Sequence, residues 1–107
     1  AEMAGLPPSS LILELVKSLE SNAFEVMETA VHDTVAQGYS AQHILAALSK
    51  YVISLESLDD LAKAEVSIRI AEAEKNLIDG ADEVLQLMNV CSMAVRCFNS
   101  SQNRMSN

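Results

Sequence analysis

The stretch IAEAEKNLIDGADEVLQL, residues 70–87, contains two helical patterns separated by a single glycine. Apolar residues recur every three or four positions on both sides of Gly80, which is the spacing of one face of an α-helix. Glycine readily adopts the left-handed backbone conformation that ends many helices. Asp82 and Glu83, just beyond it, suit the positive N-terminal end of a following helix. The stretch therefore predicts a helix, a tight turn and a second helix.

The same helical spacing extends outward from this stretch over almost the whole chain. We find no run of alternating apolar and polar residues long enough for a credible strand. Short turns favour antiparallel neighbouring helices, so the predicted fold class is all-α, a compact five-helix bundle formed by residues 9–99. The predicted helices cover residues 10–20, a segment from Asn22 to Gly38, and residues 41–54, 58–79 and 82–99.

Polar side chains mark the predicted helix starts. Asn22 with Glu25, and Ser57 with Asp60, have the three-residue spacing of a capping box. Ser40 follows directly on a turn and is predicted to cap the third helix. These caps divide the chain into the five helices given above.

Both ends of the chain are expected to lie outside the bundle. Gly5 and the Pro7-Pro8 pair interrupt helices, so residues 1–8 are predicted to be a linker from a preceding region. Residues 100–107 are mostly polar and are predicted to form a flexible tail.

The helix predicted over residues 58–79 carries two apolar stripes, and two stripes require two packing surfaces. Either this helix is central to the bundle, or one side of it faces another protein. For the second stripe both interpretations, core and interface, stay open. The first stripe comprises Leu58, Leu61, Ile68, Ala71 and Ile78, and the second comprises Ala62, Val66, Ile70, Ala73 and Leu77. The candidate subunit-interface residues are Leu61, Ala62, Val66, Ile70, Ala73 and Leu77.

Charge and composition argue against several function classes. Seven Lys and Arg against fifteen Asp and Glu give a net charge of -8, and such scattered cations argue against a free-standing nucleic-acid binder. No stretch approaches the roughly 18 uninterrupted apolar residues of a membrane span, so no membrane partner is expected. Half of the residues are hydrophobic but only 4% are aromatic, a mixture that favours helices.

No residue is a candidate for catalysis, cofactor binding or metal binding. The three glycines all lie at predicted breaks, so neither a phosphate-binding loop nor a dinucleotide fingerprint can form. Neither His32 nor His43 has a glutamate three residues before it, which excludes a di-iron site. Cys91 and Cys97 fall on different faces of a helix and are interpreted as two reduced, apolar thiols.

Residues 70–87 resemble the last helix-turn-helix of the small subunits of replication factor C, the eukaryotic sliding-clamp loader. In that family a Gly-Ala-x-Glu-x-Leu-Gln-Leu pattern starts the final helix. Two other places fit: residues 4–7 are similar to the hinge that leaves the ATPase lid, and Gly38-Tyr39-Ser40 precedes Ile44 and Leu45. The order and spacing match from about Gly5 to Phe98. The helix-turn signature residues are Gly80, Ala81, Glu83, Leu85, Gln86 and Leu87.

The resemblance implies a nuclear, C-terminal collar domain that joins five subunits in a ring, with the other replication factor C subunits as partners. An AAA+ region upstream of this chain would bind ATP and Mg²⁺, the sliding clamp and primer-template DNA. The family's Walker motifs, Ser-Arg-Cys arginine-finger motif and clamp-binding helix have no counterpart in this sequence. The resemblance therefore implies no enzymatic activity and no cofactor for this part of the protein.

Two alternatives to the clamp-loader interpretation remain. One is an unrelated acidic helical adaptor. The other is a histidine phosphotransfer domain, which is also an acidic helical bundle of this size. In such domains the reactive His precedes an apolar position with Lys and Gly close behind, and neither His32 nor His43 has that setting.

Overall fold

Five α-helices make up most of residues 7–106, the part of the chain that the computed structural model describes. No strand occurs within that range, so the prediction of an all-α five-helix bundle is confirmed. None of the helices in this range is both long and apolar enough to cross a membrane. The helices are α1 (Ser9–Glu20), α2 (Phe24–Ala36), α3 (Ala41–Ser54), α4 (Asp60–Ile78) and α5 (Glu83–Met105).

The longest helix, α5, lies at the centre of the bundle and packs against all four of the others. Helices α1 and α2 pack against each other on one side of it, while α4 packs against α3 and α5. Each helix contributes one apolar face to a single core, and each large aliphatic side chain buried there stabilises the fold by roughly 1.5–3 kcal/mol. The largest fully buried side chains include Ile12, Leu15, Leu19, Met27, Ile44, Leu45, Leu48, Ile70 and Leu87.

Helix α3 begins at the predicted cap, whereas α4 begins two residues later than predicted. The Ser40 hydroxyl accepts a hydrogen bond from the His43 N–H at 3.2 Å, so that cap is confirmed. The prediction that Ser57 and Asp60 form a capping pair is wrong, because the N-cap of α4 is Asp59. The Asp59 carboxylate accepts a hydrogen bond from the Ala62 N–H at 2.9 Å. Ser57 instead points its hydroxyl at a carboxylate oxygen of Glu20 across the bundle, 3.5 Å away.

The predicted Asn22–Glu25 capping box is also wrong. Asn22 has a left-handed backbone, with φ of 58°, and Ala23 takes the N-cap position of α2 without a side-chain bond. A capping residue needs an extended backbone, and asparagine is one of the few residues that tolerate the left-handed one. Asn22 therefore reverses the chain between α1 and α2. The hydroxyl of Ser21 accepts a hydrogen bond from the Ala23 N–H at 3.3 Å.

The predicted flexible tail is helical as far as Met105, because α5 continues six residues beyond its predicted end. Ser101 is fully buried, and its hydroxyl accepts a hydrogen bond from the Asp59 N–H at 2.8 Å. Arg104, one turn later, binds the Asp59 carboxylate. A polar sequence is thus held in helical form by contacts with the start of α4.

Most of the predicted N-terminal linker, residues 1–6, lies outside the described residues, as does Asn107. Pro7 and Pro8 precede α1, and the Pro8 carbonyl accepts hydrogen bonds from the N–H groups of Leu11 and Ile12. Proline suits this position because the first residues of a helix have no intrahelical acceptor for their N–H groups.

Candidate assembly surface

The turn between α4 and α5 is built on the glycine that the sequence singled out. Gly80 has φ of 96°, and its N–H donates to the Leu77 carbonyl at 3.1 Å. The Ala81 N–H donates to the Asn76 carbonyl at 2.9 Å. These two bonds form a Schellman motif, which satisfies the last carbonyls of α4 and allows α5 to start at once.

The other signature residues connect three helices around this turn. The Glu83 carboxylate accepts a hydrogen bond from the Ala41 N–H at the start of α3, at 2.7 Å. Gln86 is buried, and its side-chain oxygen accepts from the Asn76 amide at 3.1 Å. Leu87 lies in the core, whereas Leu85 is exposed. The signature is therefore mainly structural, since it fixes the relative positions of α3, α4 and α5.

The second apolar stripe of α4 faces the inside of the domain. Ala62, Val66, Ile70 and Ala73 are at most 2% exposed, and Leu77 is half-buried against the same core. Helices α3 and α5 cover this face of α4. Ala62, Val66, Ile70 and Ala73 therefore pack in the core of this fold and have little surface to offer, and the predicted contact of this stripe with a neighbouring subunit stays a prediction.

The exposed apolar residues of α4 belong largely to the first stripe. Its larger exposed members are Leu61, Ile68 and Ile78, which are 53%, 62% and 75% exposed. Leu61 is the one candidate interface residue that is fully on the surface, and its contact with a subunit stays a prediction. Leu58, the first member of the same stripe, is buried. Together with exposed Ala64 and Ala71, the three larger residues form a surface that we call the α4 ridge: Leu61, Ala64, Ile68, Ala71 and Ile78.

The spacing of residues along α4 is a sequence signal from which the α4 ridge could have been predicted. The exposed positions 61, 64, 68, 71, 75 and 78 alternate steps of three and four, which is the a/d pattern of a helix-packing seam. Lys75 occupies the one charged position of this series and lies 3.4 Å from the Asp79 carboxylate. Neither apolar stripe predicted from the sequence includes Ala64, so the alternating spacing of three and four residues was missed.

The two histidines and the two cysteines lie on three different helices. His32 and His43 are exposed on different helices, and no group of three or more His, Cys, Asp or Glu side chains in that range could hold a metal ion. Burial raises the pKa of Cys91 to about 12, and burial together with the nearby Glu65 carboxylate raises the pKa of Cys97 to about 11. Both thiols are therefore protonated at neutral pH and are weak nucleophiles.

A comparison with known protein families shows to which family this helical domain belongs. The family model described as "Replication factor C C-terminal domain" matches residues 7–93, from the Pro7-Pro8 pair into the middle of α5. The chain belongs to the replication factor C C-terminal domain family. This membership confirms the resemblance seen around Gly80, and it removes an unrelated adaptor bundle from consideration.

Individual replication factor C subunits are similar over most of this chain. Replication factor C subunit 4 of Arabidopsis thaliana is 34% identical over 94 residues, 87% of this chain and 28% of that protein. Replication factor C subunit 2 of Oryza sativa subsp. japonica is 31% identical over 96 residues, 90% of this chain and 28% of the relative. Replication factor C subunit 4 of Homo sapiens is 30% identical over 95 residues, which are 89% of this chain and 26% of that protein. The chain thus spans little more than a quarter of the length of the curated relatives it matches.

Proposed function

We propose that this replication factor C domain is a collar unit, which holds an ATP-dependent, heteropentameric clamp loader together by packing its α4 ridge against sister subunits. The observation that carries the proposal is the exposed apolar seam of Leu61, Ile68 and Ile78 on a helix whose opposite face is fully used by the core. Exposed apolar residues scattered singly are ordinary, but a row at a/d spacing, apolar at every position except Lys75, indicates a partner helix.

The dimensions of the ridge support a helix-sized contact. Leu61 and Ile78 are 17 residues apart, so the ridge extends over roughly 26 Å at 1.5 Å per residue. Alanines at positions 64 and 71 allow a partner backbone to approach closely, while the larger residues fill the spaces between its side chains. A standard interface covers about 800 Å² per partner, so we expect neighbouring helices to add to the contact.

Lys75 has a specific place in this proposal. A single charged residue at an a-type position disfavours arrangements that would bury it unpaired, and so it restricts the register of the packed helices. Lys75 lies at the surface in the unassembled domain, 3.4 Å from the Asp79 carboxylate. We expect a carboxylate or a hydrogen-bond acceptor opposite Lys75 in the sister subunit.

The proposed mechanism is mechanical. The collar keeps neighbouring ATPase modules in order, so that ATP binding between them can reshape the ring around an open clamp for loading on primed DNA during replication and repair. ATP, Mg²⁺, the sliding clamp and primer-template DNA would be bound by a region corresponding to the part of the relatives that lies outside their match with this chain. The expected compartment is the nucleus.

The test is assembly with sister subunits that contain their own collars, measured by light scattering coupled to size-exclusion chromatography. We expect the native chain to co-elute in a complex of higher mass, and Leu61→Gln with Ile68→Gln to reduce the complex at least tenfold. Leu13→Gln, at an exposed apolar residue on α1, is the matched control and should assemble normally. Undiminished assembly of the ridge variant, with its helical content intact, would refute the proposed interface.

A further inference from the structure

A second apolar surface lies on the other side of the bundle, between α1 and α2. It is an open groove of about 620 Å³ whose apolar lining includes Leu11, Leu15, Val26 and Ala30. Val26 is 48% exposed although it lies within the groove. Because α4 packs chiefly on α3 and α5, this groove is a separate surface from the α4 ridge.

Two of the hydroxyl groups in the groove, those of Ser18 and Thr34, are already satisfied by their own helices, whereas Thr29 is exposed. The Ser18 hydroxyl donates to the Leu15 carbonyl at 2.6 Å, and the Thr34 hydroxyl donates to the Ala30 carbonyl at 2.7 Å. Both residues are buried, so their hydroxyl groups are not open to a partner. The floor of the groove therefore favours an apolar occupant, since burying a new polar group there would be costly.

The rim of the groove is acidic. Glu14, Glu25 and Asp33 line it together with a single cation, Lys17. All four are exposed, and none takes part in an ion pair among residues 7–106. Three carboxylates around an apolar floor create a negative potential that attracts a partner with positive charges beside its apolar stripe.

A second copy of this chain does not fit that requirement. Arg69, Lys75 and Arg104 are each paired with a carboxylate within residues 7–106. The other four of the seven Lys and Arg residues lie on four different helices. One of these four, Lys17, is in the groove itself. No described helix therefore offers two unpaired cations beside an apolar stripe, and the net charge of -8 opposes self-association.

We propose that the α1–α2 groove is a docking site for a basic amphipathic helix of a partner protein, with apolar side chains on Leu11, Val26 and Ala30 and cations facing Glu14, Glu25 and Asp33. This site goes beyond the assembly role of the α4 ridge and does not depend on it.

The probes are two synthetic helical peptides on the order of 18 residues long, which corresponds to about five helical turns. Both carry leucine at positions i, i+3, i+4 and i+7, and they differ only in having Lys or Glu at the flanking positions. Fluorescence anisotropy should show saturable binding of the Lys peptide and at least tenfold weaker binding of the Glu peptide. Binding of the Lys peptide should weaken as salt is raised, because the rim charges are exposed.

Charge reversal identifies the groove. Glu14→Lys with Glu25→Lys should lower affinity for the Lys peptide at least tenfold and raise affinity for the Glu peptide. Val26→Gln should weaken both peptides, and Glu56→Lys, at an exposed carboxylate outside the groove, is the matched control and should change neither by more than about twofold.

Several results would overturn the proposal: failure of the Lys peptide to bind, equal binding of both peptides, or unchanged binding by the reversed variant. Concentration-dependent dimerisation that Val26→Gln abolishes would assign the groove to a second copy and would also refute it. Leu61→Gln with Ile68→Gln should leave peptide binding unchanged, so failure here and failure of the α4 ridge are distinguishable.

Discussion

Asp59 and Arg104 are joined by two hydrogen bonds, with Nε to Oδ2 at 2.6 Å and Nη2 to Oδ1 at 3.0 Å, which connect the start of α4 to the last turn of α5. The same carboxylate caps α4 by accepting from the Ala62 N–H, and the Asp59 N–H donates to the buried Ser101. One residue thus begins one helix and fixes the end of another, 45 positions along the chain.

The Asp59–Arg104 pair should make stability depend on pH. The hydrogen bond from Arg104, followed by that from the Ala62 N–H, holds the pKa of Asp59 well below its usual range. The pKa of Asp59 is lower in the folded chain than in the unfolded chain. Its ionised carboxylate therefore contributes fully to the free energy of unfolding above the unfolded-state pKa of about 4, and this contribution is lost as pH falls toward the folded-state pKa. Asp59→Asn keeps a capping side chain but removes the charge.

We therefore expect Asp59→Asn to lower Tm at pH 7 and the difference from the native chain to shrink between about pH 5 and pH 2, measured by circular dichroism. Arg104→Gln should behave in the same way, since it removes the other member of the pair. A difference in Tm that stays constant over this range would contradict the assignment.

Ile68 and Ile70 provide a direct test of which face of α4 is buried. Ile70 is 2% exposed and Ile68 is 62% exposed, although they are two residues apart. Ile70→Ala should lower the free energy of unfolding by about 2–5 kcal/mol because it leaves a cavity in the core. Ile68→Ala should change it by about 0.5 kcal/mol or less in the unassembled domain. Urea denaturation checks both, and equal losses would contradict the orientation of α4.

Gly80 should resist substitution for a conformational reason alone. A Cβ atom at this position would meet nothing within 4 Å, but φ of 96° is unfavourable for any L side chain. Gly80→Ala should therefore cost about 1–2 kcal/mol of unfolding free energy, and Gly80→Asn should cost less because asparagine tolerates left-handed backbones better. Gly38→Ala, at φ of 89° and equally open, is the matched comparison. A neutral Gly80→Ala would show that this turn relaxes without strain.

Glu83 should contribute to stability through α3 as well as through its own helix. Its carboxylate accepts the Ala41 N–H at 2.7 Å, a donor at the start of α3 that has no intrahelical acceptor. Glu83→Ala should lower the unfolding free energy by about 1 kcal/mol. Glu83→Gln retains an acceptor oxygen and should lose less. Slower exchange of the Ala41 amide hydrogen in the native chain than in Glu83→Ala would confirm the bond directly.

The sequence predicted local features well where the signal was confined to a few neighbouring residues. Gly80 ends α4 and Ser40 caps α3, because a left-handed glycine and a serine hydroxyl act on the backbone within three or four residues of themselves. The Asn22 cap failed since asparagine suits both a cap and a left-handed turn, and the packing of α1 against α2 selects the turn.

Sequence alone determined that the chain is a helical bundle with five helices and a glycine turn before the last one, and it indicated the family through residues 70–87. Helical periodicity is a local property, so a single sequence suffices to reveal it. Only the tertiary structure decided which stripe of α4 is core and which is surface, because two neighbouring stripes of similar hydrophobicity differ only in what α3 and α5 cover. It also decided the length of α5, since Ser101 and Arg104 remain helical through contacts with Asp59 that no local pattern encodes.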